Sequence, residues 1–540
     1  VNLRNEIVSV HSSLLIKTFL VLILNLSSFV PAFAEDSSEP KPEEATKNTE
    51  ENQEAVLPNN AAKKLPEKES PGKESPAKEL AEKGESASKP LKTKTAAESF
   101  SNHVKSIFQI RIMNSSSKSQ SALGSGFFVG DGKLLATNYH VVSSVVLEPK
   151  KYIAEIEIDE QSYPLEVVAI DVIHDLAVLS VPTKAKPLVL SNTVPAKGAR
   201  LYSIGNPLDI GMTIVEGNYN GLVENRFFEQ IHFSGAVNSG MSGGPTLNEQ
   251  GEVVGINVAS AGNQVGFLVP VDKLVELLAK VETEAGSAVG EESVAELQNA
   301  ETKLTSSPAL EEDDSEAEQE SKKEDDNPFF DEIAKQIQTA THYMINQLLD
   351  QEWPLEELGE ARVVGKAHNA IDCWGDSAEN NEKKLKVVQK GCNSRDGFFI
   401  SRRLNSGYIE YEFSFSQAKD WPVSAFYQQM TRDYAFASPG NRAGKKDVDN
   451  FTCLNRIITR DPESVLADGG ESKKTSKFKR KVSYCTRPYK RLKGLFDTFY
   501  MAVTLDKTDR VLMEHYTLSG VSKEDGNRFL NRFINQVDWK

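Results

Sequence analysis

Three short stretches of this chain carry residue types that could act together on a carbonyl group. His140 stands in "LLATNYHVV", Asp175 in "IHDLAVLSV" and Ser242 in "NSGMSGGP". Attack on an amide by a serine hydroxyl needs an imidazole to take the proton and a carboxylate to hold that imidazole in the right tautomer. It also needs backbone N–H groups aimed at the oxyanion that develops. His140 lies at the end of an apolar run, with the small Ala136 a few positions earlier, and reads as the base. Asp175 heads a buried-looking strand and reads as the acid. Gly240, having no Cβ, can turn its N–H toward a carbonyl beside the N–H of Ser242. Three neighbours compete for these roles. His174 adjoins Asp175, but successive strand residues point to opposite faces, which makes His174 peripheral. Asp171 lacks the following Leu-Ala-Val-Leu run that would bury and fix it, and His232 reads as a packing residue on the strand leading to the serine.

Residues this far apart in the chain can meet only on a scaffold that returns on itself. Between residues 98 and 281 the sequence offers "GSGFFVGDGKLLATNYHVV", "YIAEIEID", "YPLEVVAID", "DLAVLSV", "RLYSIG", "TIVEGNYNGLV", "EQIHFSG" and "GEVVGINVA". These are short apolar or alternating runs cut by Gly, Asp, Asn and Pro. Strands recurring at about ten-residue intervals predict an all-β sandwich or barrel. Helical spacing is confined to the edges, Ala97 to Lys105 at the start and "PVDKLVELLAKV" at the end.

The phrases "GSGFFV", "ATNYHVV", "HDLAVL", "SIGNP", "SGMSGGP", "VVGIN" and "VGFLVPVD", in this order, resemble the HtrA/DegP-type bacterial branch of the chymotrypsin family. The resemblance implies a double β-barrel protease domain with the His140–Asp175–Ser242 triad in the cleft between the barrels. It also implies an oxyanion hole from the N–H groups of Gly240 and Ser242, and no metal or organic cofactor. By the same likeness Ala236 lies at the base of the specificity pocket, where trypsins carry Asp, and Gly255, Ile256, Asn257 and Val258 form its opposite wall. An uncharged pocket leaves a basic side chain without a partner, so cleavage is expected after small or medium apolar residues of unfolded or envelope proteins. Met241 takes the place where digestive and clotting relatives carry an Asp that pairs with a freed N-terminus. A methionine cannot form that ion pair, so Ser242 is expected to need no zymogen clip.

The rest of the 540-residue chain reads as flanking segments and a second folding unit. Arg4 and Lys17 precede an apolar run, Thr18 to Val30, and Ala32-Phe33-Ala34 supplies a small–x–small cleavage pattern, so residues 1–34 read as a signal peptide cut after Ala34. The run is short against the ~20 residues of a membrane span, and no cysteine is placed for a lipid anchor. Residues 35–97 and 282–327 read as disordered linkers, the first Glu/Lys/Pro-rich and the second acidic. Residues 328–540 predict an α+β domain of about four to six strands. Its opening helix carries Ile333, Ile337, Tyr343, Ile345 and Leu348 toward one face, and "KEDGNRFLNRFINQV" closes it as a helix. No carboxylate-binding loop of PDZ type is present in it. The four cysteines, Cys373, Cys392, Cys453 and Cys485, all fall here and read as two disulfides of an exported protein, with sequential pairing closing the shortest loops. The competing reading is a metal site, for which His368 is the only histidine close by.

A dense basic run from Lys473 to Lys493, interleaved with Phe478, Tyr484 and Tyr489, reads either as a solvated strand pair or loop, or as an anchor for an anionic envelope partner. The formal charge of −16 argues against a chain built to coat nucleic acid. The expectation is therefore a periplasmic or secreted serine endopeptidase acting on protein or peptide substrates, in an oligomeric state the sequence leaves open. The alternative is an envelope-binding or chaperone-like protein whose C-terminal domain carries the main role.

Overall fold

Alternating apolar residues in "IFQIRIMN" and the small residues of "QSALGSGFFV" form an antiparallel pair, β1 (Ile107–Asn114) and β2 (Gln120–Val129), in register from Ile107 opposite Phe127 to Arg111 opposite Leu123. A computed structural model describes residues 95–260, 262, 264–283, 327–380, 384–441, 443–460 and 478–539. The expected signal peptide, nearly all of the first expected linker, the acidic heart of the second and the start of the basic run lie outside the described residues.

β1 and β2 close a barrel with β3 (Leu134–Thr137), β4 (Tyr152–Ile158), β5 (Gln161–Asp171) and β6 (Leu176–Ser180), in the order β1-β2-β3-β6-β5-β4. A second barrel closes as β10-β11-β12-β9-β8-β7. Its strands are β7 (Arg200–Gly205), β8 (Thr213–Leu222), β9 (Ile231–Phe233), β10 (Pro245–Leu247), β11 (Val253–Ser260) and β12 (Gly266–Pro270). Closure removes the exposed edges that short strands would otherwise present. Ile110, Ile112, Phe128, Leu135 and Leu179 fill the first barrel, and Leu201, Tyr219, Phe233 and Leu268 the second. A third cluster, with Phe127, Ala136, Leu176, Ile204, Ile256 and Val269, joins them and fixes their mutual position.

Helices lie where the sequence places them at both edges. α1 (Ala96–His103) starts at a Thr95–Glu98 capping box, a device worth about 1 kcal/mol, and a helix at 271–283 (α3) follows β12. One further helix, α2 (Tyr139–Leu147), was not expected: His140 stands in its first turn, not at the end of a strand.

The C-terminal region carries more strands than its sequence suggests. A long helix, α4 (Pro328–Leu349), is followed by β13 (Leu355–Leu358), β14 (Ala361–Val364), β15 (Ile371–Asn380), β16 (Leu385–Ser394), the hairpin β17 (Phe398–Ser401) and β18 (Leu404–Ser406), and β19 (Ile409–Ala418). Helix α5 (Val423–Phe436), β20 (Thr452–Arg460), β21 (Phe478–Pro488), β22 (Phe496–Thr504), β23 (Arg510–Val521), helix α6 (Lys523–Phe533) and β24 (Asp538–Trp539) complete it. Seven of these strands form one antiparallel sheet, β15-β16-β19-β23-β22-β21-β20. Its outer strands are rich in charged and polar residues and lack the apolar alternation that marks β19, which is why they escape a periodicity reading. α4 and α6 cover one face through Ile337, Ile345, Phe529 and Phe533. α5 covers part of the other through Phe426 and Met430. Tyr343 leaves the apolar stripe of α4: it is exposed and meets the ring of Phe228 at 6.0 Å. The described residues lie in a single compact unit, Leu91–Lys540.

Candidate active site

Asp175 organises the entry to α2. It sits in a turn at φ 56°, and its carbonyl accepts from the Tyr139 N–H at 3.1 Å and from the Asn138 side-chain amide at 2.8 Å. Its carboxylate takes the His140 N–H at 2.8 Å and His140 Nδ1 at 2.6 Å. Asn138 makes no side-chain cap of its own, so the carboxylate satisfies a first-turn amide that the helix leaves open and complements its dipole. An ionised carboxylate only accepts, so Nδ1 carries the proton and Nε2 keeps its lone pair. Burial favours the neutral imidazole, but the charge and hydrogen bond of Asp175 outweigh it and hold the His140 pKa above the usual histidine value. The imidazole retains 30% of its side-chain surface.

Ser242 occupies a turn that is pinned from several sides. Its carbonyl accepts from the Ser125 N–H at 2.8 Å, Gly243 N–H donates to Asn257 O at 2.8 Å, and Gly244 N–H to Met241 O at 3.0 Å. Buried Ser125 donates its hydroxyl to Gly240 O at 2.7 Å and accepts from Asn206 N–H at 3.0 Å. With its carbonyl held this way, Gly240 takes φ 92°, and a Cβ there would lie 2.3 Å from Asn206 O. Among the described residues, neither the Gly240 nor the Ser242 N–H donates to a backbone acceptor. The Ser242 hydroxyl is half-buried and donates to Val258 O at 3.2 Å, not to His140. Met241 points away from this surface, wholly buried among Leu201, Tyr219, Phe233, Val237 and Leu268.

The remaining candidates separate. His174 and Asp171 form a pair of their own, Nδ1 to carboxylate 2.7 Å, within a turn. Strand alternation therefore does not set His174 apart from Asp175, since both lie in the turn; Asp171 is committed to His174 and to the amides of Ile173 and His174. His232 lies on β9 opposite Phe267. Ala236 is half-buried, and β12 runs beside its segment: a Cβ on Gly266 would come 3.0 Å from Gly235 O and from Val237 Cγ2. Gly255 packs on β12, and Val258 presents its carbonyl. Ile256 and Asn257, expected in the pocket wall, are both fully buried. Ile256 enters the inter-barrel core, while Asn257 accepts from Ser203 and Thr246 at 2.7 Å each and donates to Ile204 O and Met241 O.

Sequence reasoning passed over Ser125 and Asn138, which hold the turn and the acid, and assigned Asn257 to the pocket without seeing its hold on the turn. The signal available was a Ser between two glycines in "GSGFFV" and an Asn two residues before His140.

In the C-terminal region Cys373 is bridged to Cys392 across β15 and β16, and Cys453 to Cys485 across β20 and β21. His368 stacks on Phe227 at 4.8 Å. Among the described residues no group of three or more His, Cys, Asp or Glu could hold a metal ion. The arginines of the basic run are used internally. Arg480 is buried against Glu514, Arg487 pairs with Asp497 at 2.7 Å, and Arg491 with Asp447 at 3.1 Å. Lys479, Lys481, Lys490 and Lys493 stay exposed.

Two closed six-stranded barrels bearing a coupled His–Asp pair and a serine on a glycine turn define the class: a chymotrypsin-like serine peptidase scaffold. Residues 124–256 match the family model described as trypsin-like peptidase domain. Serine protease HTRA1 of Xenopus tropicalis is 29% identical over 171 residues, covering 29% of this chain and 36% of that protein. A probable periplasmic serine endoprotease, DegP-like, of Rhizobium meliloti is 35% identical over 161 residues, covering 28% and 31% respectively. The solved serine endoprotease from Yersinia pestis is 23% identical with a TM-score of 0.31, covering 35% of this chain and 66% of that one. The chain thus spans about a third of the length of the curated relatives cited, and its likeness to them lies in a trypsin-like peptidase domain of HtrA/DegP type.

Proposed function

We propose that the chain is an exported serine endopeptidase acting through an acyl-enzyme. The observation that carries the reading is the two-point hold of Asp175 on His140, at 2.8 and 2.6 Å, which leaves Nε2 as the free acceptor. β11 pairs with β12 on one side, and its pairing with β10 ends at Ile256. An extended peptide can add to the open edge beyond. A substrate N–H that takes Val258 O as its acceptor displaces the Ser242 hydroxyl, which then turns to His140 Nε2. The Ser242 oxygen attacks the carbonyl carbon as its proton passes to Nε2. The oxyanion is held by the N–H groups of Gly240 and Ser242. Collapse breaks the C–N bond, and the leaving amine takes the proton from Nε2. Water, deprotonated by the same nitrogen, then releases the acid and restores Ser242. No metal or organic cofactor takes part.

The Ala236 segment and Gly266 offer no charge, which supports cleavage after Val, Ala or Leu in unfolded or envelope proteins. A periplasmic or secreted location, with the leader removed after Ala34, fits this role. Among the described residues of the basic run, an anionic partner would meet the exposed Lys479, Lys481, Lys490 and Lys493 and not the arginines. The test is digestion of an unfolded protein by wild type and Ser242→Ala, with the new termini mapped. Cleavage after small apolar residues, abolished in the variant, is expected; equal cleavage by both, or cuts after Lys and Arg, would overturn the reading.

A further inference from the structure

The free flank of the catalytic imidazole is bordered by a residue from outside the peptidase segment. Phe399, on the β17–β18 hairpin, places its ring edge-on to His140, centroids 6.1 Å apart at 80°. The hairpin is fastened on both sides of that contact. Tyr139 donates its hydroxyl to Ile400 O at 3.1 Å, and Arg402 donates to Ser121 O at 3.3 Å. At the other end the Asp396 carboxylate accepts from Phe227 N–H at 2.8 Å and meets Arg226 at 3.4 Å, while Phe398 packs edge-on to Phe228 at 5.5 Å.

Phe398 and Ile400 are buried at 2% and 1%, whereas Phe399 between them keeps open surface. Strand alternation turns Phe399 to the face opposite Phe398 and Ile400, and that is the face that meets His140. The hairpin also leaves the site open, since His140 keeps part of its surface and Ser242 is only half-buried. It is a wall and not a plug.

We propose that Phe399 is a specificity-determining residue: with the His140 imidazole it forms an apolar subsite for one substrate side chain flanking the scissile bond, so that the C-terminal region helps select the substrate. This rests on the endopeptidase reading above. An aliphatic or aromatic side chain there would be desolvated against the ring, and a charged one would lose its water without gaining a partner.

The test uses the full chain and a fluorogenic peptide series in which each position flanking the scissile bond is varied through Ala, Leu, Phe, Asp and Lys. Wild type is compared with Phe399→Ala, Phe399→Leu and Tyr139→Phe, the last loosening the hairpin at Ile400 without touching Phe399. A fluorophosphonate probe is run alongside to report Ser242. Phe399→Ala is expected to lower kcat/KM about tenfold for peptides with an apolar residue at one position only, mainly through KM. Phe399→Leu should restore most of this, and Tyr139→Phe should weaken the same preference. Probe labelling should persist throughout. Labelling with an unchanged preference in Phe399→Ala and Phe399→Leu would overturn the subsite and leave the endopeptidase reading standing. A uniform rise on every peptide would also overturn it, by making the hairpin a brake. Wild type that does not label would overturn both.

Discussion

At the scale of single residues, the proposed mechanism turns on the tautomer of His140, which decides whether Ser242 can be activated. Asn at position 175 would keep its oxygen for the His140 N–H, since only an acceptor serves there. Its NH2 would then face Nδ1 and force the proton onto Nε2, which could no longer accept from serine. Asp175→Asn is therefore expected to lower kcat by roughly 10⁴ with little change in fold, measured by steady-state kinetics and circular dichroism. The pH dependence follows with a definite sign. The base works when neutral, and Asp175 raises its pKa above the ordinary value near 6.5. Activity should accordingly fall with decreasing pH along a limb centred above that value, as read from kcat/KM against pH. Met241 adds a third expectation. It is fully buried in the second barrel's core, so Met241→Ala should cost about 2–5 kcal/mol in urea unfolding. His140, Asp175 and Ser242 could be singled out as candidates because the chemistry restricts their types to so few, and the structure pairs the first two. The internal role of Asn257 could not be read, because its partners Ser203, Thr246, Ile204 and Met241 meet it only after folding.

At the scale of elements, the site depends on two junctions, the start of α2 and the turn from Asn238 to Gly244. Both barrels contribute to the second, since β2 supplies the Ser125 hydroxyl that bridges Gly240 O and Asn206 N–H. Ser125→Ala leaves both groups without that partner, at a cost of about 1–3 kcal/mol. Its expected kinetic signature is a fall in kcat with KM nearly unchanged, because in the proposed mechanism the donors it positions act on the transition state. An equal loss in both parameters would show that Ser125 only supports the fold. The strands of both barrels could be read from turn residues and apolar runs. Helix α2 could not, because "NYHVVSSVVL" is rich in the β-branched residues that favour strands. Its start depends on a carboxylate supplied from residue 175.

At the scale of the molecule, the C-terminal region and the first barrel share one buried cluster. Gln336 on α4 is a staple between them: its side chain accepts from Val172 N–H and donates to Ile170 O, each at 2.8 Å. Gln336→Ala is expected to lower the midpoint of a single cooperative unfolding transition by several degrees. Two separate calorimetric transitions in wild type would contradict the shared core. The sequence presented the two regions as units parted by an acidic linker, and composition carries no trace of side chains that meet only after folding. The most direct measurement of the central claim is fluorophosphonate labelling of the full chain with the modified peptide identified by mass spectrometry. One label is expected, on Ser242, absent in Ser242→Ala and much slower to form in Asp175→Asn. No label on wild type, or a label on another serine, would contradict the account.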